Sequence, residues 1–537
     1  ILFWDNGNEG GWTTGNDGEF AKWDPQQRVV FHPRSLDHGV NDPHYPIYSE
    51  VVRDVDGPQI YFPTEYLHGV YDGGSGTAFH DYWEVMKHGK ALGGAVFWVL
   101  TDEAVVRTDE NGRLDARGNY APDGITGPHR EKEGSFYTIK QIWSPVQVTG
   151  ISAQGRLGRV TVENDYDFTN LNQCTFTWET AVFSAEGTMA GHQVLASGRL
   201  PGPDVVPHEQ GILPLPSGWD LPAGQVLYLT AQDPQGRELW RWSFPMPAFA
   251  LEPATTSTGT PPTSRDDGTQ IIVTAGTLEL RFSKETGLLA GVLDGGRPIS
   301  LDHGPYFVAA RHVDPVIPER QGVMPVTKYT DVSRPGALTG LTARVNGSDM
   351  VVDARYNGSL TRALWRISPT GKVQLDYNYT FNGQVDLLGV SFDYPEANMK
   401  GVTWQGWGPY RVWQNRLEGT TLDVWYNAHN DSVPGARWEY PEFQGYFCWK
   451  WAVFDTTEGQ IWVRNLSSRD TYLGVYTPHD GTVIPLLELP QTGLAFFNVI
   501  PANRDKFKVQ EQLGPQSQPK TVSGEVTGSV EFEFKAK

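Results

Sequence analysis

After Trp143-Ser144-Pro145 the sequence changes its period, and that change limits what the chain can fold into. Downstream, apolar and polar residues alternate in runs such as Arg159-Val160-Thr161-Val162-Glu163, Cys174–Glu179 and Gln225–Gln232, with Gly, Pro and Asn turns between them. A period of two belongs to half-buried strands, so residues 146–249 read as an antiparallel sandwich of about 100 residues. The stretch from Glu252 to Ser264 is too polar and Pro-rich to pack, and an exposed linker is expected over 250–269. From 270 to 537 strands recur with almost no helical periodicity, which predicts one large all-β domain built from two many-stranded sheets.

Upstream of that boundary the pattern is different. Short apolar strands (Ile1–Trp4, Arg28–Phe31, Gly39–Asn41, Ile60–Phe62 and Gly94–Leu100) alternate with loop or helical stretches, of which Phe79–His88 reads as an amphipathic helix. Continuous apolar strands alternating with helices indicate a parallel sheet covered by helices. The polar and charged residues gather just after the strands, where α/β barrels keep their chemistry. The 537 residues leave room for three or four domains at about 100–200 residues each.

Two glutamates stand where an apolar strand ends in a polar turn: Glu9 in Gly7-Asn8-Glu9-Gly10, and Glu65 in Thr64-Glu65-Tyr66-Leu67-His68-Gly69. A pair of carboxyl groups presented from strand ends of one barrel is an apparatus for breaking glycosidic bonds. The aromatic content, 19 Trp, 22 Tyr and 24 Phe, suits sugar rings, although β-rich cores also consume aromatics. A net charge of −20 argues against nucleic acid, which demands a Lys/Arg excess, and disfavours anionic membrane surfaces. The two cysteines, Cys174 and Cys448, make no disulfide framework and no zinc spacing. No run of about 18 apolar residues suggests a membrane span.

These segments resemble the C-terminal part of glycoside hydrolase family 2, the group of β-galactosidases, β-glucuronidases and β-mannosidases. In that family the acid/base glutamate follows an asparagine at the end of barrel strand 4, as in Asn8-Glu9, and the nucleophile opens a Glu-Tyr-x-His segment after strand 7, as in Glu65-Tyr66-Leu67-His68. Gly93-Gly94-Ala95-Val96-Phe97-Trp98 is similar to the strand 8 segment. Val162–Leu171 is similar to the start of the post-barrel sandwich, and Gly406-Trp407-Gly408-Pro409-Tyr410 to a turn of the galactosidase terminal domain. The resemblance implies a multidomain α/β plus all-β fold. Strands 4–8 of a (β/α)₈ TIM barrel would occupy 1–145, an immunoglobulin-like sandwich 146–249, and a large C-terminal β-sandwich 270–537.

By the same resemblance Glu65 is the nucleophile and Glu9 the acid/base of a retaining exo-β-glycosidase, β-galactosidase-like as a first expectation. Neighbouring negative charge is expected to raise the carboxyl of Glu9 while Glu65 stays ionised. Asn8 would bind the sugar 2-hydroxyl, or act as an Asx turn former. Tyr45 would orient the nucleophile, or be a stacking residue. Trp98 would floor the sugar site, or be a barrel-core tryptophan. His68 would touch sugar hydroxyls, or serve packing. His32 and His44 would line the pocket. Asp102 and Glu103 would bind substrate, with a salt bridge to Arg107 the favoured alternative. Trp12 and Tyr71 would build an aglycone subsite.

A β-glucuronidase or β-galacturonidase is the alternative within the class, although no convincing Asn-x-Lys carboxylate-recognition segment is found. A non-catalytic carbohydrate-binding subunit is the alternative outside it. No metal ligands or cofactor are assigned; a cation beside the acid/base is left open, because its ligands in some relatives come from segments upstream of residue 1. The expected partners are an oligosaccharide or glycoside substrate and an N-terminal segment, or a complementing chain, carrying strands 1–3. A homo-oligomer is compatible with this reading. A signal peptide on such a segment would make the protein periplasmic or secreted; without one it would be cytoplasmic.

Overall fold

The computed structural model describes the chain except residues 1, 10, 70–75, 117–122, 154–156, 189, 215–224, 247–258, 314–325, 430–444, 468–470 and 479–486. Ile1, Tyr71 and the first part of the expected linker, 250–258, therefore lie outside the described residues. The fold is mostly β, with its helices concentrated in the first 142 residues.

In that first part the strands are short and pair in parallel. Trp4–Asp5 pairs with Val30–Phe31, Val40–Asn41 with Ile60–Tyr61, and Tyr66–His68 with Phe97–Trp98. Single parallel bridges add His44 to Glu65 and Tyr61 to Leu92. Each expected strand has a counterpart here, trimmed to two residues. The strand Tyr66–His68 was not expected: the sequence reads as a polar turn there, yet all three residues are buried.

Helices cover these strands for a plain reason. In Phe79–Met86 the buried Phe79, Tyr82 and Met86 fall at i, i+3 and i+7, one face of a 3.6-residue period. That face packs with Val51, Val55, Tyr61, Tyr66, Ile139 and Ile142 in one core, to which Leu513 of the terminal region also belongs.

Residues 146–245 form a three-stranded and a four-stranded antiparallel sheet. Leu157–Asn164, Thr175–Phe183 and Val226–Gln232 occupy the three runs that alternate in sequence. Val160, Val162 and Leu213 from one sheet and Phe176, Leu229 and Trp240 from the other share a single core.

From Thr263 onward twenty strands are linked in one hydrogen-bonded sheet. Two expectations are corrected here. The linker ends early, because Thr263–Asp266 already pairs with Gln270–Ala275. Two separate sheets were expected, but long strands carry the pairing from one neighbour to the next. Asp302–His312, for example, pairs with Leu387–Asp393 through a register shift and with Thr327–Asp331 beyond it. Such shifts bend a strand and let it change partner. The C-terminal strand Lys520–Ala536 pairs with Val373–Val385 and with Gly459–Asn465.

The three parts are fastened to one another. Tyr137 stacks on Tyr410 at 5.4 Å, the Gly419 N–H donates to Gln141 at 2.6 Å, and the Tyr228 hydroxyl donates to the Leu422 carbonyl at 2.7 Å. Asp81 in the helix Phe79–Met86 accepts from the Gln516 N–H at 2.7 Å.

The strand Met399–Val412 tests how tightly the large sheet is packed. At Gly406 an added Cβ would lie 1.8 Å from the Cys448 carbonyl oxygen, a backbone atom that cannot swing away. Gly406→Ala is expected to cost about 3 kcal/mol. A lower urea midpoint by tryptophan fluorescence checks it; an unchanged midpoint would mean that the pairing with Gly445–Thr456 is loose there.

Candidate active site

Four side chains from three strand ends converge. Glu9 sits in the turn after Trp4–Asp5, His44 and Tyr45 follow Val40–Asn41, and Glu65 immediately precedes Tyr66–His68. The parallel bridge between His44 and Glu65, with the Tyr45 N–H donating to the Glu65 carbonyl at 2.7 Å, fixes the last two segments together. His44 Nε2 lies 3.6 Å from Glu9 Oε1 and 3.5 Å from Glu65 Oε2. One ligand atom from each of Glu9, His44 and Glu65 lies within 4.8 Å of the others. The Tyr45 hydroxyl donates a 2.5 Å hydrogen bond to Glu65 Oε2.

The backbone is bent to achieve this. Glu9, Tyr45 and Leu67 have φ of 50°, 53° and 52°, a left-handed conformation uncommon outside glycine. Strained residues of this kind gather at sites where side-chain placement outweighs stability.

The two carboxylates differ in exposure. Glu65 is 8% exposed, whereas the Glu9 side chain is 57% exposed. Burial lifts the Glu65 carboxyl above the usual range, the Tyr45 hydroxyl pulls it back, and the charge of Glu9 lifts it further. The raised carboxyl was expected at Glu9; it is Glu65 that is raised, because Glu65 is the one removed from water. Burial holds His44 below the usual imidazole range, so it bridges the carboxylates as a neutral ring; Arg34 acts in the same direction. Two carboxylates and an imidazole are also the one group among the described residues that could hold a metal ion.

His68 stands one strand further along, paired in register with Trp98. It is 4% exposed and enclosed by Tyr45, Phe507 and Trp98, with ring centroids 5.7, 5.1 and 6.4 Å away. Burial, then the neighbouring Lys506, pushes its pKa down to about 3. Nδ1 therefore carries the proton and donates to the Gly69 carbonyl at 2.8 Å, leaving Nε2 to accept from Lys506 Nζ at 3.2 Å. Lys506 thus engages one ring nitrogen of the histidine expected at the sugar hydroxyls. Asp123 lies beside this pair, 3.6 Å from His68 and 3.7 Å from Lys506, and burial pushes it up to about 7.

The remaining candidates take other places. Asn8 is exposed and its carbonyl closes a turn with the Gly11 N–H at 2.6 Å. His32 is held by Asp17 at 3.1 Å and Asp37 at 3.5 Å, and Trp12 stacks on it at 4.4 Å. The expected partnership of Asp102 with Arg107 is corrected. Asp102 is buried and accepts from the Gly124 N–H at 2.8 Å, while Arg107 pairs with Asp109, Glu110 and Asp115 on its own hairpin.

Sequence reasoning missed the segment Arg504–Lys508 entirely. Asp505 accepts from the His68 N–H, the Lys506 N–H donates to the His68 carbonyl at 3.0 Å, and Phe507 packs on Tyr45 at 5.1 Å. The available signal was four charged residues and a phenylalanine crowded behind the apolar strand Leu494–Val499. Nothing local says that they reach back to residue 68.

A family model described as β-galactosidase, domain 4, matches residues 160–244. β-Galactosidase 2 of Enterobacter cloacae is 23% identical over 496 residues, covering 79% of this chain and 46% of that protein. A β-galactosidase of Vibrio cholerae serotype O1 is 22% identical over 487 residues, covering 78% and 45%. The chain thus spans less than half the length of these relatives. Among solved structures, a galactose 1-epimerase from Lactobacillus acidophilus NCFM aligns with 52% of this chain and 99% of its own, at 10% identity and a TM-score of 0.29; a likeness of that size has no bearing on the reading. The chain is similar to the C-terminal portion of β-galactosidase-like glycoside hydrolases.

Asp42, next to the site, supplies a pH test. It is wholly buried, its Oδ1 accepts from the Ser35 N–H at 2.7 Å, its Oδ2 has no partner, and burial raises its pKa to about 7. A carboxyl whose folded pKa is raised stabilises the fold below its unfolded value of about 3.9, and that contribution is lost as pH climbs through about 7. Asp42→Asn cannot ionise and keeps the acceptor. It is expected to melt above the wild type at pH 8.5 and to lose that advantage at pH 5; parallel melting curves at both pH values would contradict the shift.

Proposed function

We propose that this chain carries the catalytic pair of a retaining exo-β-glycosidase, β-galactosidase-like, with Glu65 as nucleophile and Glu9 as acid/base. The observation that carries the reading is the approach of Glu9 and Glu65 to within 4.8 Å, spanned by His44 and with the Tyr45 hydroxyl on Glu65. A retaining pair stands about 5–5.5 Å apart, whereas an inverting pair leaves about 6.5–9.5 Å for a water. The parallel strand pairs of the first 142 residues support a partial (β/α)₈ barrel beneath them, and the two facing sheets of 146–245 an immunoglobulin-like sandwich.

The chemistry runs in two displacements. The Glu65 carboxylate attacks the anomeric carbon while Glu9 passes its proton to the leaving glycosidic oxygen. Glu9, now ionised, takes a proton from water, which cleaves the glycosyl ester and restores Glu65 with the original anomeric configuration. Tyr45 holds Oε2 so that the other oxygen faces the sugar. Its hydrogen bond favours the ionised carboxylate against the pull of burial.

Glu65→Gln removes the attacking charge and is expected to lower kcat on the order of 10⁴-fold. Residual activity near wild type would end the nucleophile assignment. Glu9→Ala should slow substrates with poor leaving groups far more than activated aryl glycosides, and added azide should restore turnover as a β-glycosyl azide. An equal loss on every leaving group, with no azide effect, would make Glu9 structural.

One observation favours a second sugar. Arg34 and Lys508 both bear electrostatically on His44, opposed by the charge of Glu9. Two cations beside the carboxylates suit the acid group of a β-glucuronide or β-galacturonide. Chromogenic galactoside, glucuronide and galacturonide assayed side by side on the full-length gene product decide between the two readings.

A further inference from the structure

A second cavity lies away from the carboxylates, where the four-stranded sheet, the helix Gly134–Ile142 and the terminal sheet meet. Its volume is about 400 Å³, and none of its lining residues belongs to the cluster around Glu9 and Glu65. Trp240, Trp242 and Phe244 line one wall, at alternate positions of the strand Glu238–Pro245. Trp407 and Trp449 come from the strands Met399–Val412 and Gly445–Thr456 opposite. Glu418 and Lys450 add charged groups.

Two features separate this space from a packing gap. Glu238–Pro245 is the edge strand of its sheet, so one row of its backbone N–H and C=O groups has no strand partner. The indole N–H groups of Trp240, Trp242 and Trp407 make no hydrogen bond among the described residues, and none of the three is sealed from solvent. Donors that reach solvent without a protein partner are free to meet a ligand. Aromatic faces beside such donors and an open strand edge match a pyranose ring, whose C–H face stacks while its rim of hydroxyls hydrogen-bonds. The volume falls within the range of about 300–1,000 Å³ common to small-ligand sites.

We infer that this cavity is a non-catalytic sugar-binding site that holds a pyranose unit of an oligosaccharide. The choice of galactose as the sugar rests on the proposed β-galactosidase-like function; the existence of the site does not. Trp407 and Phe244, both half-buried, supply aromatic faces to the cavity, and the edge strand Glu238–Pro245 supplies free backbone groups. A second grip would retain a long substrate on the protein between turnovers.

The test is the stoichiometry of β-1,4-galactotetraose bound by the full-length gene product carrying Glu65→Gln, measured by equilibrium dialysis. Two sites per chain are expected. Trp407→Ala in that background should weaken one of them about tenfold or more, and Phe244→Ala should act on the same site. Using both variants guards against one of them failing to fold, which circular dichroism would reveal. A single site weakened by Trp407→Ala and Phe244→Ala would keep the inference and count against the catalytic reading; no binding, or one or two sites that neither substitution touches, would overturn the inference. Failure of the catalytic reading shows separately, as absence of glycoside turnover by the wild-type protein.

Discussion

The carboxylate of Asp505 ties the two ends of the chain together. It accepts from the backbone N–H of His68, 437 residues away in sequence, and from those of Phe507 and Lys508 at 2.8 and 3.2 Å. Burying a carboxylate is costly, and burial does raise its pKa, but backbone donors offset that cost with charge-assisted bonds. The strand Tyr66–His68 is only three residues long and would be a weak platform on its own. Fastened to the terminal sheet through Asp505 and Lys506, it becomes a fixed base for Glu65, the residue just before it. The large β domain is thereby part of the candidate site.

The candidate site itself is a balance of opposing terms on Glu65. Burial and the charge of Glu9 favour its neutral form, while the Tyr45 hydroxyl and Arg34 favour the carboxylate. Neutral His44 fills the space between the two acids without neutralising either. The left-handed backbone at Glu9, Tyr45 and Leu67 turns these side chains toward one another at a cost met by the packed strands around them.

The local part of this arrangement is legible in the sequence. Glu9 and Glu65 announce themselves as acids at strand ends, and the helix Phe79–Met86 follows from its apolar period. The proximity of Tyr45 and His44 to the pair follows from their place after an apolar strand. The illegible part is everything set by long-range contact. The run from Tyr66 to His68 reads as a turn because its burial is imposed by Leu513, Asp505 and Phe507. The bond from Lys506 to Nε2 of His68 is equally hidden, because nothing near residue 68 in sequence announces it. A single linked sheet replaces the expected two because register shifts within long strands leave no trace in an alternating pattern.

Mechanism-based labelling tests the central claim most directly. A 2-deoxy-2-fluoro-β-galactoside with a good leaving group should react once with the full-length gene product and halt at the glycosyl-enzyme, because the fluorine slows both displacements while the good leaving group keeps the first one fast enough to occur. Peptide mapping is expected to find the sugar esterified to Glu65. A label on any other residue, with Glu65 unmodified, would contradict the account.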